Sequence, residues 1–184
     1  MFEENFDHRF INYGVLPKSI SGLKGILFSA LIHADWKHLF NNSVPMFVLM
    51  SSLIHFYRSI SREVFLWLWF ISGLLLWVIG RPNFHIGASG LVYALASFLF
   101  FSGLLRKHTK LMAISLFVVF LYGGMIWGIF PLEQHISWEG HLSGGIAGIL
   151  LAFWFRREGP PNQIYQYEID ELLEEQEEDD HNIY

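Results

Sequence analysis

Five apolar runs divide the chain, at residues 39–57, 64–79, 89–105, 111–130 and 140–155. The first is interrupted by Asn41, Asn42, Pro45 and His55; the other four contain no Asp, Glu, Lys or Arg. None carries the polar stripe that a helix on the surface of a soluble protein turns to water. Several are at or below the ~17 residues that usually span a bilayer. Their number, aromatic content and tight spacing nevertheless predict membrane helices, not a buried soluble core. Trp36, Trp67, Trp77, Trp127, Trp138 and Trp154 fall near run ends, where interfacial indoles collect. The pattern predicts an all-α fold, a polytopic membrane helical bundle with five spans.

Composition strengthens that reading. The 184 residues are 53% hydrophobic, 17% aromatic and 16% charged, with a mean hydropathy of +0.36, against roughly 25% charged in soluble domains. The net charge of -5 misleads, because residues 168–180 alone hold nine acids and the remaining body is mildly basic. No basic stripe suggests nucleic acid. The absence of cysteine excludes disulfides and cysteine-ligated metal sites. No charged stretch followed by a short apolar run and a cleavage site reads as a signal peptide.

The basic residues set an orientation. Arg58 and Arg62, then Arg106, Lys107 and Lys110, and finally Arg156 and Arg157 follow the first, third and fifth runs, whereas the alternate connections hold only Arg81. Residues 58–63, 106–110 and the C-terminus are therefore expected in the cytoplasm. His38, Ser89 and His141 then all lie at the outer ends of their runs. About 16 residues separate Ser89 from Arg106, or roughly 24 Å of helix, short of a ~30 Å hydrocarbon core. Ser89 is expected below the outer surface. The stretch 80–86 cannot be regular helix through Pro82 and must dip toward Ser89 as irregular backbone, tolerated at depth only where protein buries it or water reaches it.

That geometry carries chemistry. Gly87-Ala88-Ser89-Gly90 places a hydroxyl on a glycine turn, and His141 heads the last run, so a nucleophile and its usual base open two different apolar segments. His38 and Asn42, four residues apart, share a helix face. Both can donate hydrogen bonds, and with the Ser89 N–H they can form an oxyanion hole. His141, Gly144 and Gly148 lie on one face of the last helix, and Gly90, Ala94 and Ser97 on one face of the serine helix; small-residue faces let helices approach closely. Tyr93, one turn after Ser89, can stack on the His141 ring and orient it, a task usually given to an acid. Asp35 and Glu139 lie near the motif histidines and read as solvated residues, not as a third triad member. His55, His85, His108 and His135 read as interfacial or loop residues.

At these residues the chain resembles the rhomboid family of intramembrane serine proteases. The resemblance covers about residues 25–157 and rests on His33-x4-His38-x3-Asn42, on Gly87-Ala88-Ser89-Gly90 with Tyr93, and on Gly140-His141-x2-Gly144-x3-Gly148. It implies Ser89 as nucleophile, His141 as general base, His38 and Asn42 as oxyanion donors, and His33 as a structural loop histidine. It also implies cleavage of single-span membrane proteins within the bilayer, by a helical bundle with a water-filled cavity and without cofactor or metal. The expected setting is the inner membrane of a bacterium. The rival within the same superfamily is a rhomboid-like pseudoprotease that binds membrane helices without cutting them; such proteins typically lack the Ser or the His, and both are present here.

Two departures from the family pattern stand out. Its usual Trp-Arg pair, eight or nine residues before the first motif histidine, is replaced by Lys24 and Gly25. Its usual first core helix has no counterpart, since residues 1–22 are too polar to span. Residues 1–38 thus read as a polar N-terminal segment and outer loop, 39–157 as the membrane-embedded protease core, and 158–184 as an acidic, disordered cytoplasmic tail. Five spans with the C-terminus inside leave the N-terminus outside, and Arg9, Lys18, Lys24 and Lys37 oppose its translocation. An upstream spanning helix is expected for that reason. Other hydrolase chemistry is excluded: no His-Glu-x-x-His is present, the spans hold no pair of carboxylates, and His33 has no acid or cysteine at metal-ligand spacing.

Overall fold

A computed structural model describes residues 8–121, 127–131, 137–161, 170 and 173–174. His135, and the tail beyond residue 161 apart from Asp170, Leu173 and Glu174, lie outside the described residues. Those described form six α-helices and no strand. They are α1 (Gly25–Phe28), α2 (Trp36–Phe56), α3 (Ser61–Ile79), α4 (Ser89–Leu105), α5 (Thr109–Leu121) and α6 (Trp138–Trp154), with short 3-10 turns at His8–Tyr13, Ile20–Gly22, Ser29–Leu31 and Trp127–Ile129.

The helices follow the apolar runs closely. α2 starts where Asp35 accepts a hydrogen bond from the His38 N–H at 2.7 Å, a carboxylate cap on exposed N–H donors. It then passes through Pro45 without breaking. α2 and α3 are long and apolar enough to cross a membrane. Both bury less than a third of their apolar stretch inside the protein. Phe40, Phe47, Leu66, Phe117 and Phe120 are among the large side chains left exposed. An apolar exterior of this extent is what a lipid-facing surface presents.

α4 is different. It packs against α2, α3, α5 and α6 and buries residues on all sides, including Leu91, Leu95, Phe98 and Leu99. A helix that is apolar all round belongs at the centre of a bundle. Its tightest neighbour is α6. A Cβ added at Gly144 would lie 1.9 Å from the Gly90 carbonyl oxygen, and one at Gly148 would lie 2.4 Å from that of Ala94. The Ser97 hydroxyl donates across the same seam to the Gly145 carbonyl at 2.8 Å. Gly90 in turn faces the Gly140 carbonyl.

The segment ahead of α2 is folded onto the bundle. Val15 is fully buried and exchanges two backbone hydrogen bonds with His85, both 2.9 Å. The indoles of Trp69 and Trp77 donate to the carbonyls of Ile26 and Ser19 at 3.0 and 2.8 Å. Gly25 occupies its place because the Gly14 backbone runs against it: a Cβ there would meet the Gly14 carbonyl at 2.2 Å. The Trp77 indole thus also ties this segment to α3. Arg106 is also buried, and it donates to the carbonyls of Phe155, Glu158 and Pro160, binding the ends of α4 and α6 together. The sequence pattern gave it only a place in a basic connection and no sign of these partners.

Gly144→Leu is expected to force α4 and α6 apart. Overpacking of this kind costs about 1–3 kcal/mol or more. A thermal melt in detergent checks it: the Leu variant melts well below the parent, whereas Gly145→Ala, where an added Cβ meets nothing within 4 Å, melts with the parent.

Candidate active site

Ser89 is the first residue of α4 and His141 lies in the first turn of α6. The chain reaches Ser89 through Gly87, whose φ of +104° lies in the region favourable to glycine. Because the glycine seam draws α4 and α6 together, the Ser89 Oγ comes within 2.8 Å of the His141 Nε2. The other ring nitrogen, Nδ1, lies 2.8 Å from the Gly128 carbonyl oxygen. A carbonyl only accepts, so Nδ1 carries the proton and Nε2 is left to accept from the serine hydroxyl. The Tyr93 ring stacks on the imidazole with centroids 4.2 Å apart and planes 9° from parallel. The imidazole is thus held by a carbonyl and a ring, and no carboxylate among the described residues hydrogen-bonds to it.

His38 and Asn42 converge on the same place from α2. A Cβ added at Gly87 would lie 2.6 Å from the His38 Nε2 and 3.7 Å from the Asn42 Nδ2. The Ala34 N–H points at the His38 Nδ1 at 3.5 Å, which leaves the Nε2–H as the donor facing Gly87. The Asn42 Nδ2 is buried and has no hydrogen-bond partner among the described residues. His33 stands edge-on to the His38 ring, centroids 5.1 Å apart. A cavity of about 40 Å³ touches Ser89, lined also by Ser29, Trp69, Ser72 and His85. It is large enough to hold a water.

Three features were not legible in the sequence. Gly128 provides the partner of His141, yet a backbone carbonyl leaves no residue-type signal. Glu139 is 2% exposed and pairs with Arg81, Nε to Oε1 3.2 Å, so it is not a solvated acid. His85 is buried, not interfacial; it contacts the Ser137 hydroxyl at 2.6 Å and the Arg81 carbonyl at 3.1 Å. The sequence did offer a partial hint of the ion pair: Arg81 is the one basic residue in the connections at 80–88 and 131–139, and Glu139 the nearest acid to His141 in sequence.

The chain matches the Rhomboid domain over residues 21–158, and it belongs to the rhomboid family, whose members are integral membrane proteins. It is also similar to uncharacterized bacterial proteins. Those of Mycobacterium bovis and Mycobacterium tuberculosis are each 37% identical over 153 residues, 76% of this chain and 62% of theirs. One of Mycobacterium leprae is 34% identical over 160 residues, 79% of this chain and 61% of its own. The chain spans about three fifths of the length of these curated relatives. No solved structure matches it.

Burial holds the pKa of His85 below its ordinary value, against smaller opposing effects from its hydrogen bond to Arg81 and from Glu139; burial also lowers His33, aided by His38. A base with a depressed folded pKa binds fewer protons folded than unfolded. Its stabilisation is complete above the unfolded value near 6.5 and is lost as pH falls below that value toward the folded pKa. The protein is therefore expected to melt lower at pH 5.5 than at pH 7.5, with a shallower dependence in His85→Asn. Equal melting temperatures at the two pH values would contradict this.

Proposed function

We propose that the protein is an intramembrane serine endopeptidase that cleaves single-span membrane proteins with a Ser89–His141 dyad. The observation that carries the reading is the 2.8 Å contact between the Ser89 Oγ and a His141 Nε2 whose tautomer is set by the Gly128 carbonyl. Membership of a family known mostly for this reaction supports it.

In this reading the Ser89 Oγ attacks the scissile carbonyl carbon while His141 Nε2 takes its proton. The carbonyl oxygen becomes an oxyanion and accepts hydrogen bonds from the His38 Nε2–H, the Asn42 Nδ2–H and the Ser89 N–H. Collapse of the intermediate expels the amine, which takes the proton from His141. Water, deprotonated by His141, then releases the acyl group from Ser89. Tyr93 and Gly128 keep the ring in one orientation throughout. Gly87, Gly90, Gly144 and Gly148 let backbones approach, and His33 backs His38 from the loop.

The membrane reading goes with it. We take α2 to α6 as five spans, with the seven basic residues of the 58–62, 106–110 and 156–157 segments at the cytoplasmic side. Ser89, His141, His38 and Asn42 then face the outside of a bacterial inner membrane. Substrates are transmembrane proteins that reach the site from the bilayer. The alternative is a rhomboid-like pseudoprotease, for which the lack of a counterpart to the family's first core helix speaks; the oriented Ser–His pair favours the protease.

Cleavage of a model single-span substrate in liposomes tests the proposal. Ser89→Ala and His141→Ala are each expected to abolish turnover, and the double variant to be little worse than either, since the two act as a unit. Near-normal turnover in either variant removes the dyad, and an inert but folded parent favours the pseudoprotease.

Asn42→Ala and His38→Ala are expected to lower turnover by roughly 10- to 1000-fold, as loss of one oxyanion donor does. Their melting temperatures should stay near the parent's. Fluorophosphonate labelling of Ser89 at the parental rate in both would show that these residues only pack.

A further inference from the structure

Ser89 and His141 stand on separate elements. The glycine seam sets how closely α4 and α6 approach, but smooth small-residue faces do little to stop one helix sliding or turning on the other. The irregular 80–88 segment, which delivers Ser89, must also be held at a fixed height against the first turn of α6. Two polar links join these parts directly. Arg81 reaches Glu139, two residues before His141, with Nε to Oε1 3.2 Å. His85 meets Ser137, four residues before His141, with Nδ1 to Oγ 2.6 Å.

Each link is tied into the backbone around it. The His85 Nε2 lies 3.1 Å from the Arg81 carbonyl, so it carries the proton and Nδ1 accepts from the Ser137 hydroxyl. The His85 backbone is paired both ways with Val15. On the other side, the Ser137 carbonyl accepts from the N–H groups of Gly140 and His141 at 3.0 and 3.2 Å. One residue, Ser137, thus holds the serine-bearing segment through its side chain and the histidine through its backbone. The second link is a carboxylate 2% exposed paired with a guanidinium one-third exposed. Replacing a buried ion pair by apolar residues is often neutral for stability, so such a pair is a poor choice where stability alone is wanted. It is a good choice where one arrangement must be selected from several.

We infer that Arg81–Glu139 and His85–Ser137 form a two-point clamp that sets the register of the Ser89-bearing segment against α6, making these four positioning residues of the dyad. The inference rests on the dyad reading above. None of the four touches the reacting atoms. Their effect is on the distance and angle between the Ser89 Oγ and the His141 Nε2, where an error near 1 Å costs about 100-fold in rate.

The test is the rate of fluorophosphonate modification of Ser89 in the full chain in detergent, with melting temperatures on the same samples and kcat and KM on a single-span substrate. Ser137→Ala and Arg81→Gln are expected to slow labelling about 10- to 100-fold, lowering kcat with little change in KM. Ser137→Thr, which restores the hydroxyl, recovers most of the loss. Arg81→Gln/Glu139→Gln, which no longer buries an unpaired carboxylate, labels faster than Arg81→Gln. If Arg81→Gln does not fold, the Ser137 variants decide. Parental rates in Ser137→Ala and Arg81→Gln overturn the clamp, as does a loss in Ser137→Thr equal to that in Ser137→Ala. A parent that labels no faster than Ser89→Ala overturns the dyad reading, and the clamp with it. Normal parental labelling with unaffected clamp variants overturns the clamp alone.

Discussion

The closest constraint in the molecule is the contact of two backbones, Gly144 against the Gly90 carbonyl. Even one added Cβ at Gly144 would fall 1.9 Å from that oxygen. Apolar surface gives no drive for helices to associate in lipid, so they must be held by van der Waals packing and hydrogen bonds, and small residues make both possible. The seam of Gly90, Ala94 and Ser97 against Gly140, Gly144 and Gly148 does this, with the Ser97–Gly145 hydrogen bond across it. The separation of Ser89 and His141 follows from that seam. The surrounding helices close on α4 from the remaining sides.

A second constraint is the accounting of backbone polar groups. Pro82 forbids helix ahead of Ser89, so residues 80–88 must find partners outside regular structure. They find them in the segment before α2. Val15 pairs with His85, and the Gly87 N–H donates to the Ser29 carbonyl at 2.9 Å. The indoles of Trp69 and Trp77 fasten the same segment to α3. Among the described residues the Asn42 Nδ2 is one of several buried side-chain atoms without a hydrogen-bond partner, and its place beside Gly87 fits the oxyanion role proposed for it.

Helix length makes sense once the positions in the bundle are known. α4 has 17 residues, about 26 Å at 1.5 Å each, and falls short of a ~30 Å hydrocarbon core. It need not match the bilayer, because other helices surround it. α2 and α3, with 21 and 19 residues, stand outside and carry the exposed apolar surface.

Most of the fold was legible in the chain itself. Four of the five apolar runs marked their helices within about three residues, because a charge-free run has few other stable forms, whereas the fourth, 111–130, extends past α5, which ends at Leu121. The spacing of Ser89, His141, His38 and Asn42 marked the candidate site, since each residue type limits the chemistry it can do. Tyr93 could be placed on the His141 ring from helical periodicity alone. What the sequence could not supply were the contacts between distant segments. The Gly128 carbonyl is a backbone group, common to every residue, and carries no signature. Glu139 and His85 read as solvated or interfacial because isolated ionisable residues usually are. Only the approach of residues 80–88 to α6 removes them from water and gives them Arg81 and Ser137 as partners. The polar segment before α2 likewise showed no apolar period. Its fastening depends on two indoles and one bridge whose partners lie tens of residues away. Local pattern determined which residues could be helix and which could react; the tertiary approach of backbones decided their partners, because burial and hydrogen bonding depend on what comes near in space.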